Sequence, residues 1–525
     1  MVLIKNELIK ILNKFQRPYI YLFAIYCSSH IWILFFGNAL YWDDWSLFNI
    51  NQNAVLETFH MNGSLLFGYL HLSLLKIGPY IYRILTFILM FSSGLFANNI
   101  FKRNLNIDEK SIFILTILFL NLPFFGIRVT IISFPYVICY FLFFAAWFLF
   151  PKRTFLSTFL FILSFNINSL LCFYILPYLE KYYIKNKSNI NLKSFLKFIR
   201  TNIFISFIPL FFYTIKLIFF KPYSIYEGYN QNFNLNNLFQ SPFIQIIDFF
   251  KLKSPSLLLL FFVTTILLYL FSKLNIFSKI NYEKSICYKL LRLGILSTFF
   301  AGFPYWILGL TPIFNSWDNR HQLLFPLGFS LIFLSFLLML DFRLRKVFIS
   351  FLLSTILLIN ISNYYNFHKD WIKQTTLIDQ ISKNKIIQNS DVIIFKDNNL
   401  EDNLYNLSYR YIDWNGIIST ALNTNSKIGL NFEDYPDGLI DIFKLINANC
   451  GYLFNMHNFD MKKSIKASLV EINVIEDKEY TIIAKLISKY KPSNIELKTT
   501  EIDPNQIKKL MKQSSNINQY FCKGN

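Results

Sequence analysis

The chain has 525 residues, of which 54% are hydrophobic and only 16% charged, and its mean hydropathy is +0.38. Soluble globular proteins carry about 25% charged residues, so the composition excludes an ordinary soluble protein and predicts a polytopic membrane protein. The net charge of +20 does not indicate a nucleic-acid partner, because 20 of the 51 basic and 19 of the 31 acidic residues lie from Asn366 onward. The basic excess therefore belongs to the apolar part, where basic loops hold membrane helices in orientation.

Apolar runs flanked by basic residues recur along the chain from Tyr19 to about Asn363. The first run, about Tyr19 to Leu40, follows a basic N-terminus and lacks a small-residue cleavage signature. We interpret it as a retained span whose N-terminus lies in the cytoplasm. The span delivers the segment Tyr41–Ser46 to the outer side. Residues 47–79 are only moderately apolar and predict interfacial helices on that surface.

Ten further spans are predicted after the first, about eleven in total. Two of them are short, because the polar residues of Asn166-Ile167-Asn168 divide residues 154–182 into an outgoing and a returning helix. An odd number of spans in the plasma (inner) membrane leaves the C-terminal region outside the cytoplasm. The ten spans cover about residues 80–100, 111–125, 134–150, 155–165, 169–182, 202–220, 256–271, 292–310, 323–340 and 347–363.

The sequence predicts two domains, a polytopic membrane domain over residues 1–365 and an extracytoplasmic α/β or α+β domain over residues 366–525. The second part contains no apolar run long enough to span a bilayer. Its strand-like runs at Asp391–Phe395, Lys427–Leu430 and Ala467–Ile475 are separated by polar turns. Six scattered cysteines have no metal-ligand spacing and predict neither a zinc site nor a disulfide framework.

Polar residues that a membrane scaffold does not require gather in the predicted outer loops. The adjacent carboxylates of Asp43 and Asp44 come directly after the first span, where ionisable residues are functional candidates. A carboxylate accepts a proton from a hydroxyl group and cations hold a phosphate, so the set suits transfer from a phosphate-linked donor. The other members of the set are His60, Lys76, Arg83, Arg128, Lys221, Glu227, Asp318, Arg320 and His321.

The order of these features resembles the C-type superfamily (GT-C) of integral-membrane glycosyltransferases. The resemblance covers about residues 5–363 and rests on the acidic pair, the run Gly78–Arg83 that leads into a span, the split pair around Asn166, and a late outer loop followed by two spans and a tail. It implies an enzyme that takes a sugar from a polyprenyl-phosphate carrier. The acceptor would be a glycan, a lipid or a protein at the outer face of the lipid bilayer.

The resemblance also implies roles for individual residues. Asp43 or Asp44 is the general base that deprotonates the acceptor hydroxyl in a single, inverting displacement, and the other carboxylate supports it. Arginine offers a bidentate fork for phosphate, so the residues expected to bind the donor phosphate are, in order, Arg320 with His321, then Arg128, Lys76 and Arg83. The residues expected to contact the sugar or the acceptor are Trp42, Trp45, Tyr226 and Glu227.

Other interpretations accompany these assignments. Asp44 also suits the N-cap of an interfacial helix, and Arg320 suits an ion pair with Asp318 at the lipid headgroups. The segment Tyr223–Asn234, which holds Tyr226 and Glu227, also suits an ordinary loop. His60 and His71 raise the alternative of a divalent cation bound with the aspartates; no other cofactor is expected. For the whole chain, the alternatives are a polysaccharide polymerase or ligase and a lipid-linked glycan transporter.

Overall fold

The computed structural model describes residues 17–48, 52–186, 191–228, 234–250, 257–273, 280, 282–447, 459–460, 465–475 and 494–514. The predicted basic N-terminus before Arg17 lies outside these residues, as do Cys450 and Cys522. Helices form most of the chain up to Lys383. They are α1 (Arg17–His30), α2 (Gln52–Met61), α3 (Leu65–Leu75), α4 (Pro79–Asn104), α5 (Glu109–Asn121), α6 (Phe134–Leu149), α7 (Thr154–Ser164), α8 (Ser169–Phe173), α9 (Ile175–Lys185), α10 (Leu192–Thr201), α11 (Ile203–Phe219), α12 (Leu235–Phe250), α13 (Leu257–Lys273), α14 (Lys284–Trp306), α15 (Phe325–Met339) and α16 (Phe342–Lys383).

Four helical segments of the described chain are long and apolar enough to cross a membrane. They are α4, α14, α16 and the segment Pro18–Phe36, which joins α1 to a short 3₁₀-helix. The pair α10 and α11, bent by 70°, makes a fifth if it crosses as one unit. Shorter apolar helices accompany them, namely α3, α6, α7, α13 and α15. The chain is therefore a helical membrane protein, as predicted, whereas the total of about eleven spans stays a prediction.

The predicted division at Asn166 is confirmed, because α7 ends at Ser164 and α8 begins at Ser169. The side chain of Lys216 on α11 closes this turn by donating hydrogen bonds to the Asn166 carbonyl (3.1 Å) and to the Asn168 side-chain oxygen (2.8 Å). Lys216 and Asn166 are half-buried, and Asn168 is exposed. The complete shielding of this turn by protein therefore stays a prediction.

Two glycines bring α14 and α15 into close contact. A Cβ atom on Gly294 would lie 2.9 Å from the carbonyl oxygen of Gly328, and a Cβ atom on Gly328 would lie 2.8 Å from that of Gly294. Membrane helices associate through such small residues, since lipid supplies no hydrophobic drive between them. The hairpin holds the intervening residues 307–324 above the helix pair, and these residues carry Arg320.

The helix α16 is 42 residues long, which corresponds to about 63 Å at 1.5 Å per residue. A bilayer core is about 30 Å thick, so roughly half of α16 extends beyond it. The predicted domain boundary after residue 365 falls inside this unbroken helix. The fall in hydropathy near residue 363 marks the end of the apolar run, whereas the helix itself continues to Lys383.

A four-stranded sheet follows α16. Its strands are β1 (Val392–Asp397), β2 (Ile428–Asn431), β3 (Ala467–Ile475) and β4 (Asn494–Ile502), in the order β2-β1-β3-β4. β1 pairs in parallel with β2 and β3, and β4 pairs antiparallel with β3. The first three coincide with the predicted strands. The associated helices are α17 (Lys385–Asn389), α18 (Tyr411–Leu422), α19 (Asp437–Asn447) and α20 (Pro504–Ser514).

Buried polar contacts lock the sheet to α16. The Lys373 ammonium group donates to both carboxylate oxygens of Asp397 (2.8 and 2.7 Å), and both side chains are only 2% exposed. Asp397 ends β1, and Lys373 lies ten residues before the end of α16. β1 therefore runs back along the helix, and the carboxyl ends of the parallel strands face the apolar half of α16.

Candidate functional site

The acidic pair lies on a single 3₁₀-helix, Trp42–Leu47, which we call the aspartate turn. The backbone enters it through extended Tyr41, and Trp42 has a positive φ of 51°. Such a conformation is uncommon for a bulky residue and signals a constrained turn. Consecutive side chains on this turn point in different directions, so the two carboxylates lie in different environments.

Asp44 is buried, with 1% of its surface exposed. Its Oδ2 accepts a hydrogen bond from the backbone N–H of Tyr41 (3.1 Å), and its Oδ1 accepts one from the backbone N–H of Ile132 (2.8 Å). Burial raises the pKa of Asp44 to about 7, although these backbone donors and nearby Arg83 lower it. The predicted N-cap role is wrong in its position, because Tyr41 is the N-cap and Asp44 lies inside this short helix, where its carboxylate bonds the Tyr41 N–H. Its second bond fixes the aspartate turn to the segment after α5.

Asp43 is the accessible member of the pair, with 28% of its side chain exposed. Its Oδ1 accepts a hydrogen bond from the guanidinium group of Arg410, with Nη2 at 2.7 Å. Among the described residues no other donor is bonded to the Asp43 carboxylate, which leaves Oδ2 without a hydrogen-bond partner in this part of the chain. Of the two carboxylates, Asp43 is the one that an incoming hydroxyl group can reach.

Arg410 is held from behind by Asp413. The backbone N–H of Arg410 donates to Asp413 Oδ2 (2.9 Å) at the start of α18. Asp413 is buried, its Oδ1 has no partner among the described residues, and burial raises the pKa of its carboxyl group to about 7. The backbone of Arg410 is therefore fixed while its side chain extends to Asp43.

Aromatic rings surround Trp42. Its indole ring lies 5.3 Å from that of Trp317 in an edge-to-face arrangement and 5.8 Å from that of Tyr405. The Tyr405 hydroxyl donates to the Asn363 side-chain oxygen (2.9 Å), and the Asn363 amide donates to the Gly126 carbonyl (3.0 Å). Rings of this kind present both apolar faces and polar edges, which suits contact with a sugar.

Trp45 occupies a different place from the one predicted for a sugar contact. It is 1% exposed and packs against α18, where a Cβ atom on Gly416 would lie 2.4 Å from its indole ring. Trp45 therefore binds the aspartate turn to the sheet region. Because it is buried there, the Trp45 ring is not available to an incoming sugar or acceptor substrate.

The predicted phosphate-binding pair lies on the 3₁₀-helix Trp317–Gln322, which we call the arginine turn. The Arg320 guanidinium carbon lies 4.8 Å above the ring of Trp317, a cation–π arrangement. Arg320 Nε also donates to His321 Nε2 (3.1 Å). Through Trp317 and Trp42, this places Arg320 on the same side of the molecule as Asp43.

His321 is buried, and burial followed by the charge of Arg320 holds its pKa well below the usual range. A neutral imidazole that accepts from Arg320 at Nε2 carries its proton on Nδ1. That nitrogen lies 3.7 Å from Asp318 Oδ1, beyond hydrogen-bond distance. His321 therefore orients Arg320 and adds no positive charge for a phosphate.

Two further predicted arginines are engaged by main-chain carbonyls. Arg83 is 1% exposed and donates from Nη1 to Gly37 (2.9 Å) and Pro79 (3.0 Å) and from Nη2 to Ala39. Arg128 is buried and donates to the carbonyls of Phe124 (2.8 Å) and Phe125 (3.0 Å), while its Nη1 has no partner in the described chain. These bonds favour structural roles in shaping the loops around the aspartate turn.

The remaining predicted residues lie elsewhere. Lys76 is exposed at the end of α3. Tyr226 ends the short 3₁₀-helix Ser224–Tyr226, and Glu227 follows it, exposed. Nearby, the Tyr223 hydroxyl group joins Glu57 Oε1 (2.9 Å) and His60 Nδ1 (3.2 Å). Lys76, Tyr226 and Glu227 thus lie on chain segments other than the aspartate turn and the arginine turn.

The divalent-cation alternative gains no support. His71 is buried, stacks between Phe59 and Tyr82, and bonds the Tyr82 hydroxyl group through Nδ1 (3.0 Å). The Nδ1 atom of His60 is hydrogen-bonded to the Tyr223 hydroxyl group. Within the described ranges, no three His, Cys, Asp or Glu residues are arranged to hold an ion.

Three loops thus meet at the candidate site. The Ile127 N–H donates to the Asn319 side-chain oxygen (3.2 Å), which joins the loop after α5 to the arginine turn, and Ile132 joins the same loop to Asp44. The segment after β1 adds Tyr405 and Arg410. Sequence reasoning missed Trp317, Tyr405, Arg410 and Asp413. Only Trp317, beside Arg320 in the chain, carried a local signal.

Two concave regions of the described chain lie away from this site. One, of about 280 Å³, is mainly apolar and lies between α8, α9, α10 and α11. The other, of about 390 Å³, lies on α14 and is lined by Ser285, Tyr288, Lys289, Arg292 and Leu293. Comparison with known proteins adds no assignment, because no family model, curated protein or solved structure matches the chain.

Proposed function

We propose that the chain is a membrane glycosyltransferase that moves a sugar from a polyprenyl-phosphate carrier to an extracytoplasmic glycan, lipid or protein acceptor. The observation that carries the proposal is the division of the acidic pair. Asp44 is buried and bound by two backbone N–H groups, whereas Asp43 is accessible beside a group of aromatic rings. One carboxylate holds the turn and the other meets solvent.

In the proposed reaction, Asp43 Oδ2 takes the proton of the acceptor hydroxyl group. The hydroxyl oxygen forms a bond to the anomeric carbon, the bond from that carbon to the phosphate oxygen breaks, and its electron pair leaves with the lipid phosphate. A carboxylate performs this proton transfer as a general base. Asp44 acts as a positioning residue through Ile132 and Tyr41.

Arg320 is the proposed partner of the leaving phosphate. It lies on the arginine turn, stacked on Trp317 and oriented by His321. Its fixed charge would stabilise the negative charge that develops on the phosphate oxygen, a contribution that is large in a site with restricted water. Trp42 and Tyr405 would face the sugar. A transporter would need charged side chains along a path through the spans. Lys216, a charged residue inside a predicted span, is instead bonded to the Asn166 turn, so the transporter alternative gains no specific support.

The proposal is tested with membranes that contain the protein and radiolabelled polyprenyl-phosphate sugars. We expect Asp43→Asn to lower transfer by roughly 100- to 10,000-fold, the usual contribution of a general base, while the protein still inserts and folds. Asp379→Asn, at an exposed pair with Lys383 on α16, is the matched control and should retain activity. Full transfer by the Asp43→Asn variant would refute the role of Asp43 as the base, and full transfer by both Asp43→Asn and Asp44→Asn would refute the proposal.

Asp44→Asn separates the two carboxylates. The amide keeps one acceptor oxygen, so one of the two backbone N–H groups loses its partner and the turn shifts. We expect a smaller loss of rate than in Asp43→Asn, together with a lower thermal unfolding midpoint in detergent. If Asp44→Asn is inactive at unchanged stability and Asp43→Asn is active, the two roles are reversed.

A further inference from the structure

We infer that the segment after β1 completes the site, with Arg410 as a positioning residue that holds the Asp43 carboxylate in its working orientation. This inference rests on the proposed function. It assigns to the sheet region a part in catalysis, beyond any role as an attached domain. The two residues are separated by 367 positions in the chain, yet their side-chain atoms lie 2.7 Å apart.

The Arg410 side chain reaches Asp43 from a fixed base. Its backbone caps α18 through Asp413, and α18 packs on the aspartate turn where Gly416 meets Trp45. Because both ends of the contact are fixed by buried groups, the geometry of Asp43 does not depend on two freely moving surface chains. An ordinary exposed ion pair lacks this support and contributes little.

The carboxylate oxygens of Asp43 are used differently as a result. Oδ1 accepts from Arg410, and Oδ2 is left for the acceptor hydroxyl group. A single hydrogen bond on one oxygen fixes the rotation of the carboxylate and therefore the direction of the other oxygen. Orientation of this kind is a large part of catalysis, since a displacement of about 1 Å costs up to about 100-fold in rate.

The topology of the sheet explains why this segment is the one that reaches the site. β1 has parallel neighbours on both sides, and chain segments that leave the carboxyl ends of such strands commonly form ligand sites. Here that edge faces the apolar half of α16. The loop between β1 and α18 delivers Tyr405 to Trp42 and Arg410 to Asp43.

The test compares Arg410→Ala with Arg410→Lys in the full-length protein in membranes. We expect Arg410→Ala to lower the rate of transfer at saturating donor by roughly 10- to 100-fold, and Arg410→Lys to recover part of it. Lys396→Ala, which removes a partly exposed ion pair with Glu471 in the same sheet, is the control and should leave transfer unchanged.

Chemical rescue separates positioning from folding. The Arg410 side chain is 48% exposed, so its removal opens a space that solutes can enter. Guanidinium chloride at low millimolar concentration should restore part of the Arg410→Ala activity, and sodium chloride at equal ionic strength should not. A structural contribution alone would give no rescue, and absence of rescue therefore overturns the inference.

The outcomes distinguish this inference from the proposed function. If the wild-type protein transfers no sugar from polyprenyl-phosphate donors, the proposed function fails and the inference fails with it. If the wild-type protein is active, Asp43→Asn is inactive and Arg410→Ala retains the full rate, only the inference is overturned. Partial activity of Arg410→Ala that guanidinium restores supports both.

Discussion

The contact between Gly416 and Trp45 offers a sharp test of how the sheet region meets the aspartate turn. Gly416→Ala would place a Cβ atom 2.4, 2.5 and 2.7 Å from three atoms of the Trp45 indole ring. The ring is rigid and buried, so the clash should cost about 3 kcal/mol, the upper end for overpacking. Replacement of a helical glycine by alanine returns about 1 kcal/mol. The expected net loss of stability is about 2 kcal/mol.

Thermal unfolding in detergent measures this loss, and the transfer assay reports its effect on Asp43. We expect a lower unfolding midpoint and reduced transfer, because the turn and α18 are pushed apart and Arg410 moves with α18. Trp45→Leu in the same chain should relieve the clash, so the double variant should be more stable than the sum of the two single losses predicts. Thr420→Ser, on the exposed side of α18, keeps the hydroxyl group that bonds the Gly416 carbonyl (2.9 Å) and should change stability by less than about 0.5 kcal/mol. Unchanged stability of Gly416→Ala, or strict additivity in the double variant, would refute this packing.

Lys373→Ala leaves Asp397 buried without its cation, so we expect the free energy of unfolding to fall by about 3–5 kcal/mol. Lys383→Ala, at an exposed pair with Asp379, should change it by less than about 0.5 kcal/mol. Equal effects of the two variants would contradict the buried contact between Lys373 and Asp397 as the link from α16 to the sheet. Burial raises the pKa of Asp413 from 3.8 to about 7, so the folded protein binds this proton more tightly than the unfolded chain. The resulting stabilisation is complete below about pH 4 and is lost as the pH rises through about 7. The unfolding midpoint should therefore fall between about pH 4 and about pH 7, and a fall equally steep in Asp413→Asn would exclude this group as a cause. Tyr405→Phe keeps the ring and loses one hydrogen bond, so the free energy of unfolding should fall by about 1 kcal/mol. Tyr405→Ala also loses the aromatic contact and should lower it by about 0.5–1.5 kcal/mol more. Identical unfolding midpoints of the two variants would argue against the contact between the Tyr405 and Trp42 rings.

Much of the secondary structure could be predicted because its signals are local. The apolar runs before Asn363 mark helices, the polar residues at Asn166 mark a break, and the run Asp391–Phe395 marks a strand. The placement of an acidic pair directly after the first apolar run also needed only neighbouring residues. These features depend on periodicity and composition, which a single sequence displays.

The completed site could not be predicted in the same way. Arg410 and Tyr405 lie in a polar segment that resembles an ordinary loop, and nothing near them in the chain indicates Asp43 or Trp42. Trp45 has the composition of an interfacial anchor, yet the backbone of Gly416 covers it. The burial of His321 likewise depends on distant packing, which turns an apparent cation into a neutral acceptor.

The unbroken course of α16 couples the position of the candidate site to the membrane-spanning part of the chain. A continuous helix has no hinge, and its C-terminal half is fixed to the sheet by Lys373 and Asp397. The sheet can therefore tilt or rise only together with the membrane-embedded half of the helix. A thinner or thicker bilayer would change that tilt, and the aspartate turn, which packs on α18, would move with the sheet. The thickness of the bilayer would thus affect the orientation of the candidate site through one continuous helix, α16.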